Sequence, residues 1–591
     1  MTDGRNEIKL VGVAGSPGIC IGKAYLIDTD MSGVEVVEKY FIDSKNISWE
    51  VNRFKAAVKK AKDELSAIIK NVPDDLQDHV HILETHMVMF KDKMLYGKTI
   101  ETIENEQVNA EWALKKTVAD VREMFRDIAD PYIKGRVTDI AHVSNRIMQQ
   151  LLGTTTVDIG KIDKRVILVA HDLSPADTSQ IQLDKIKGFV TDRGGRTSHT
   201  AIIAKTLDIP SVLGLENATK MIRNDDIIIV DGESGIVIVN PTDESIIKYQ
   251  NRGQEYEAYK IDVAKSSHLP AQTVDGVSVK VLANIELPAE TGHAKEYGAD
   301  GIGLFRTEFL YLSRKEFPTE EELFSEYRKV VENMAPKPVT IRTLDINGDK
   351  VVAYDQTEEE ANPALGLRAI RFCLKRPEVF QTQLRAILRA SAFGNVKVMF
   401  PLISAYEEMV QARDALDTAA DSLKKDGVEY NRDIEVGAMI EVPATVIIAD
   451  MLADIVDFFS IGTNDLVQYS LAIDRGNRQV AHLFQTLHPA VIRMIRQVIE
   501  VGKSKGVDVV MCGEMAGFPI NLPILLGLGL ERLSMNPPAI PIMKNAVRSM
   551  KAGDTKSFME EVFTKNTAAQ ISDLVHQRFG DLFPSLPDIT Q

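Results

Sequence analysis

Between Asp74 and Asp92 the chain reads DDLQDHVHILETHMVMFKD, with Leu76, Val80, Leu83, Met87 and Phe90 at steps of three and four. That spacing makes one apolar stripe of an α-helix. The segment HVSNRIMQQLL, ending at Leu152, repeats the period, so helices are expected from about Ser48 to Leu152. Before this block, from Lys9 to about Leu26, glycine turns alternate with short β-like runs. After it come RVILVAH, GFVTD, DIIIVDG and GIVIVNP, apolar and β-branched runs of strand length. The simplest topology is a β-rich domain split over 1–30 and 153–242, carrying a helical insertion over 31–152. Residues 243–270 are polar and helical, with no apolar run from Asp243 to His268, and read as a linker.

Beyond Ala271 the rhythm changes again. Eight apolar runs recur, each followed by a helical stretch: VSVKVLANIE, GIGLFRTEF, VTIRTLDI, VKVMFPLI, EVGAMIEVP, FFSIGTNDL, VVMCGEMAG and RLSMNPP. Eight such units over 271–591 predict a (β/α)8 barrel, and the whole chain a multidomain α/β protein. An open doubly wound sheet fits less well, since no GxGxxG follows the first run. At the carboxyl ends of these strands stand Glu286, Arg306, Arg342, Glu441, Asn464, Asp465, Cys512 and Glu514. A barrel brings those ends to one mouth, where active sites form. Any single polar strand end is as easily a residue meeting a loop; the set is harder to explain that way.

Arginine's planar fork matches phosphate and carboxylate oxygens, and Glu441 with Asp465 offers hard oxygen ligands suited to Mg2+. No histidine or cysteine stands at zinc-ligand spacing nearby. Arg475, in IDRGNR, follows the sixth strand and could reach over the same mouth. Cys512 after VVM reads either as a small buried hydrophobe or as a proton donor to an enolate; its position alone leaves both open.

A second candidate lies upstream, in TDRGGRTSHTAIIAKTLDIPSV. Gly194 and Gly195 permit close backbone approach, Thr197 or Ser198 can cap a helix, and His199 stands at its start. A helix N-terminus binds anions and disfavours imidazolium, so His199 would be held neutral and nucleophilic, with donors ready for a phosphoryl group. His79 and His86, seven apart with no matching carboxylate arrangement, read as surface or partner-contact residues.

Composition narrows the function classes. The 591 residues carry a formal net charge of -16, which argues against nucleic acid or an anionic membrane as the main partner. The start, MTDGRNEIKLVGVAG, lacks the apolar core of a signal peptide, and no apolar run approaches the roughly 20 residues that span a bilayer. Cys20, Cys373 and Cys512 are isolated and form no CxxC pair. These features predict a cytoplasmic protein.

The motifs GGRTSHTAIIAK, IGLFRTEFLY, IRTLDINGDK, RAILRASAFG, EVPATV, FFSIGTNDLVQYSLAIDRGN and MCGEMAG, in this order, resemble Enzyme I of the bacterial phosphotransferase system, the phosphoenolpyruvate–protein phosphotransferases. The likeness runs from SPGI at Ser16 to Met535. It implies a swivelling phosphohistidine domain and a barrel that binds phosphoenolpyruvate (PEP). His199 would take the phosphoryl group and pass it to the carrier protein HPr, which would dock on the helical insertion. By the same resemblance Arg306, Arg342, Asn464, Asp465 and Arg475 would hold PEP, Glu441 and Asp465 would bind Mg2+, and Cys512 would protonate the pyruvate enolate. A homodimer through the barrel is implied too, because the barrel half is similar to that of pyruvate phosphate dikinase and PEP synthase. Leu213-Gly214-Leu215 departs from the family's Gly-Thr, in a turn expected to lie away from the phosphate.

A dikinase or synthase would need a large ATP-binding domain, and no GxxxxGK[ST] loop occurs in the first 150 or so residues. A non-catalytic regulator would lack His199, the arginines or the carboxylates. The regulatory branch of the same system would add an N-terminal sensor, and only 15 residues precede SPGI.

Overall fold

The computed structural model describes residues 7–27, 38–70, 92–124, 131–153, 164–173, 185–194, 209–312, 316–346, 362–474 and 480–582, with a few isolated positions between them. His199 and Arg475 lie outside the described residues, as do Leu76 and Val80 of the predicted helical stripe. The chain divides into two compact units that adjoin in sequence at Glu257 and Ala258. The division falls within the helix Asp243–Lys265, which occupies the segment predicted to be a polar helix.

The first unit is a mixed eight-stranded sheet ordered β1-β8-β7-β3-β4-β5-β6-β2. Its strands are β1 (Ile8–Val11), β2 (Val13–Ser16), β3 (Ile19–Ile27), β4 (Val166–Ala170), β5 (Ile186–Thr191), β6 (Ser211–Leu213), β7 (Ile227–Asp231) and β8 (Ile236–Val239). The chain leaves after β3 and returns in β4, which pairs parallel with β3 from Lys23–Val166 to Ile27–Ala170. This is the split domain that the runs of apolar residues predicted. Between the two strands lie the helices Ile47–Lys70, Lys98–Glu106, Ala110–Met124 and Pro131–Leu152. Leu83 and Phe90 of the apolar stripe are buried with Phe54, Leu65 and Leu114, and one continuous core joins them to Leu168 and Phe189 on a face of the sheet. Ile167, Val169, Val190 and Val230 belong to a separate cluster with Ala218 and Ile222, as alternation along a strand requires.

His86 overturns its sequence reading. It is 1% exposed, with Nε2 3.1 Å from Asp139 Oδ1 and its ring centroid 6.3 Å from that of His142. The carboxylate partner comes from another helix, which no spacing within one helix reveals.

The second unit is a closed barrel of eight parallel strands: β10 (Ser278–Ile285), β11 (Ile302–Phe305), β12 (Val339–Arg342), β13 (Val396–Phe400), β14 (Glu435–Ile440), β15 (Phe458–Ile461), β16 (Asp508–Met511) and β17 (Arg532–Met535). The short β9 (Ala271–Gln272) adds antiparallel to β10, and β10 pairs with both β11 and β17 to close the ring. The eight strands are the eight runs picked out in the sequence. Helices such as Glu320–Met334, capped reciprocally by Thr319 and Glu322, pack their apolar faces on the strands. Where the helix Asp243–Lys265 ends, Lys544 Nζ donates to the carbonyls of Ser267 (2.9 Å) and Gly298 (2.6 Å), and Arg548 donates to Ser266 Oγ at 2.8 Å.

Candidate active site

In the first unit, Asp192 follows β5, ahead of the histidine motif in sequence. Its carboxylate accepts from the Thr219 backbone amide (3.2 Å) and hydroxyl, and Oδ2 lies 3.3 Å from His171 Nδ1. Gly194, where the loop begins, has φ +111°, a conformation open to glycine and strained for other residues. Gly214 also has positive φ, and a β-carbon there would lie 3.0 Å from the Gly194 carbonyl. The Leu213-Gly214-Leu215 turn therefore packs against Gly194, and the absence of a side chain at Gly214 is what allows the approach.

The barrel mouth is built from strand ends. Arg306 follows β11, and its Nη1 lies 2.7 Å from Glu286 Oε1, past the end of β10. Arg342 ends β12 inside the protein. Its Nη2 donates to Glu308 Oε1 (2.9 Å), and its Nη1 lies 3.2 Å from Asp345 Oδ2. Arg342 Nε has no partner among the described residues, although it is buried. A buried guanidinium N–H left unpaired is costly and is most simply met by an acceptor from a bound anion.

Three carboxylates lie beyond the arginines. Asp345, Glu441 and Asp465 each offer an oxygen, and these oxygens lie within 4.8 Å of one another. Glu441 follows β14, is 1% exposed, and accepts from the Leu402 amide at 2.6 Å. Burial, then the charges of Asp465 and Asp345, pushes its carboxyl group well above the usual carboxylate range. Asp465 sits in the first turn of the helix Thr463–Leu471, which starts one residue after β15 has delivered Gly462. Converging, partly buried oxygen donors of this kind fit a hard divalent cation.

Asn464 and Glu514 hold each other across two strand ends: Asn464 Nδ2 donates to Glu514 Oε1 (3.2 Å), and the Glu514 amide donates to Asn464 Oδ1 (3.1 Å). Cys512 follows β16 and is 2% exposed, receiving a hydrogen bond from Ser460 Oγ at 3.1 Å. Burial pushes the Cys512 thiol up to about 11, with the Ser460 bond pulling the other way. The group is thus a thiol, not a thiolate, at neutral pH. It can give a proton but is not a ready nucleophile.

The structure brings together Arg306, Arg342, Glu441, Asn464, Asp465 and Cys512, all named from the sequence. It adds three residues that the sequence reading missed. Glu308 and Asp345 stand two and three residues past Arg306 and Arg342, inside motifs already quoted. Arg368 follows no strand and had no signal of its own. Its guanidinium spans Asp345 (Nη2 to Oδ1 2.8 Å and to Oδ2 3.0 Å) and reaches Asp465 Oδ2 at 3.4 Å.

Comparison with known proteins agrees with this architecture. Residues 260–552 match the PEP-binding domain of PEP-utilising enzymes, 11–136 their N-terminal domain and 162–235 their mobile domain. The chain is 44% identical over 576 residues to a phosphoenolpyruvate-protein phosphotransferase of Bacillus sp. (strain S), covering 97% of this chain and 99% of the relative. The protein of the same name from Geobacillus stearothermophilus is 43% identical over 97% of this chain and 99% of its own length. That from Bacillus subtilis (strain 168) is 42% identical over 97% and 100%. With a barrel mouth of paired arginines and carboxylates, and this identity over nearly its whole length, the chain belongs to the phosphoenolpyruvate-protein phosphotransferase family of PEP-utilising enzymes.

Proposed function

We propose that the chain moves the phosphoryl group of PEP to His199 and from there to HPr, as the first step of sugar phosphotransfer in the cytoplasm. The single observation that carries this reading is the convergence, in one mouth, of Arg306, Arg342, the carboxylate trio and a protonated Cys512. Arg306 and Arg342 would bind the phosphate of PEP, with Asn464 and Arg475 completing the anion site. Glu441 and Asp465 would hold Mg2+, with Asp345 beside them, and the ion would supply charge neutralisation on the phosphoryl and enolate oxygens.

In the transfer the P–O bond to the enol oxygen breaks, and a P–N bond to the neutral imidazole of His199 forms. The pyruvate enolate left behind takes a proton at its methylene carbon from the Cys512 thiol, and solvent returns that proton to sulfur. HPr then attacks phosphorus with its own acceptor group, and His199 leaves neutral. In this reading 1–30 with 153–242 is the phosphohistidine domain, 31–152 docks HPr and 243–270 is the hinge between His199's two destinations. The barrel, 271–591, also forms a homodimer. No helix among the described residues is long and apolar enough to cross a membrane.

The test uses PEP with a labelled phosphoryl group, Mg2+ and no nucleotide, with HPr added or withheld, on wild type and His199→Ala. Label passing to HPr in wild type and none taken up by the mutant supports the proposal. Label retained until AMP and pyrophosphate arrive, and then leaving as ATP, makes the chain a dikinase instead.

A further inference from the structure

Arg368 holds a position in the mouth that the proposed reaction does not explain. It binds Asp345 through both carboxylate oxygens, with Nε adding a contact to Oδ1 at 3.1 Å, and it reaches Asp465. Two of the three carboxylates that would face a metal ion are thus already partnered by one guanidinium of the protein itself. The arrangement is braced. Arg368 Nη1 donates to Tyr469 OH (3.1 Å), whose own proton goes to the Ala364 carbonyl at 2.6 Å. The next residue, Ala369, takes a left-handed φ of +51° that a non-glycine residue adopts only under constraint.

Three carboxylates packed this closely repel one another strongly, and burial amplifies the repulsion. Arg368 relieves it without any bound ion. Asp465 Oδ2, which Arg368 reaches at 3.4 Å, cannot serve a guanidinium and a hard cation equally well, because both draw on the same lone pairs. Resting on the function proposed above, we propose that Arg368 is a built-in counter-cation. It holds Asp345 and Asp465 in place of a divalent ion, keeps metal affinity low without substrate, and yields Asp465 when metal and substrate enter together. Arg368 is on this account a positioning residue that couples metal binding to PEP binding.

The test is Mn2+ binding to the full chain, read as free Mn2+ by electron paramagnetic resonance, with and without oxalate as a planar dianion resembling the pyruvate enolate. Arg368→Met should bind Mn2+ about tenfold more tightly than wild type without oxalate, and oxalate should tighten Mn2+ by a smaller factor than it does in wild type, because no guanidinium has to be displaced. Arg368→Lys, which keeps the charge and loses the bidentate fork, should fall between them. It decides the matter if Arg368→Met does not fold by circular dichroism. Unchanged or weaker Mn2+ binding in the folded variants overturns the inference, including the case where only oxalate affinity moves, which would make Arg368 a plain substrate ligand. If wild type binds no Mn2+ even with oxalate, or binds it as well after Asp465→Asn, the metal reading of the mouth fails and takes this inference with it.

Discussion

Two acidic clusters in this chain face the same electrostatic problem. At the barrel mouth Asp345, Glu441 and Asp465 share Arg342 and Arg368. At the turn after β7, Asp231 and Glu233 share one arginine, Arg252, at 2.9 and 3.9 Å. The turn resolves its repulsion locally: Asp231 accepts from the amides of Glu233 and Ser234, and Glu233 is pushed up to about 7 by burial and by Asp231. A proton is enough there. At the mouth two buried guanidinium groups are drawn in, one from the end of β12 and one from the connection after it, and Glu441 is held by the amide of Leu402, itself at a left-handed φ of +54°. The contrast shows how to tell a site from a buried structural turn. The turn needs one arginine beside its own backbone amides and a proton, whereas the mouth draws in two guanidinium groups and bends the chain at Leu402 and Ala369.

The sharpest way to break the comparison is to neutralise each cluster. Glu441→Gln or Asp465→Asn should lower phosphoryl uptake from labelled PEP by about 10³-fold, yet leave the thermal midpoint equal or higher, because repulsion is removed. A stability loss with activity retained would put the mouth in the same class as the turn. Cys512→Ala should slow hydrogen-isotope exchange into the methyl group of pyruvate by roughly 10²–10⁴-fold. Because the thiol is pushed up to about 11, wild-type exchange should show no loss through thiol ionisation between pH 6 and about 9.

Away from both clusters, Lys544→Met should destabilise the barrel unit by about 1–3 kcal/mol, seen as a lower urea midpoint, since the carbonyls of Ser267 and Gly298 lose their shared donor. The smallest effect belongs to the turn. Glu233 keeps its proton to higher pH in the folded chain than in the unfolded one, so its contribution to stability is greatest below about 4.5. That contribution declines as pH rises towards about 7. Glu233→Gln should therefore raise the midpoint relative to wild type at pH 8 by roughly 2–4 °C and leave little difference at pH 4. An equal shift at both would remove the proton from the account.

The barrel was legible because parallel strands buried on both faces write themselves as uninterrupted apolar runs, and the polar residue ending each run marks the mouth. Arg306, Arg342, Glu441, Asp465 and Cys512 were all found by that rule. Arg368 escaped it because its place is set by the fold of a long connection after β12, where no period operates. His86 was misread for a related reason: its partner Asp139 comes from a helix about 50 residues away, and burial of a polar side chain depends on contacts that sequence spacing does not encode.

The left-handed backbone at Ala369, Leu402 and Ala472 has a consequence for anyone who evolves this protein in the laboratory. Each position favours glycine, and replacing alanine by glycine at a positive φ relieves strain of about 1–3 kcal/mol, though the added chain entropy of the unfolded state offsets part of it. A selection for heat resistance alone would be drawn to Ala369 and Ala472, whereas at Leu402, 2% exposed, the cavity left by the lost side chain outweighs the relief. Ala369 adjoins Arg368, and Ala472 ends the helix that carries Asp465. Heat-hardened descendants altered there should be catalytically slack, so thermostability and turnover are expected to trade against each other most steeply at these positions.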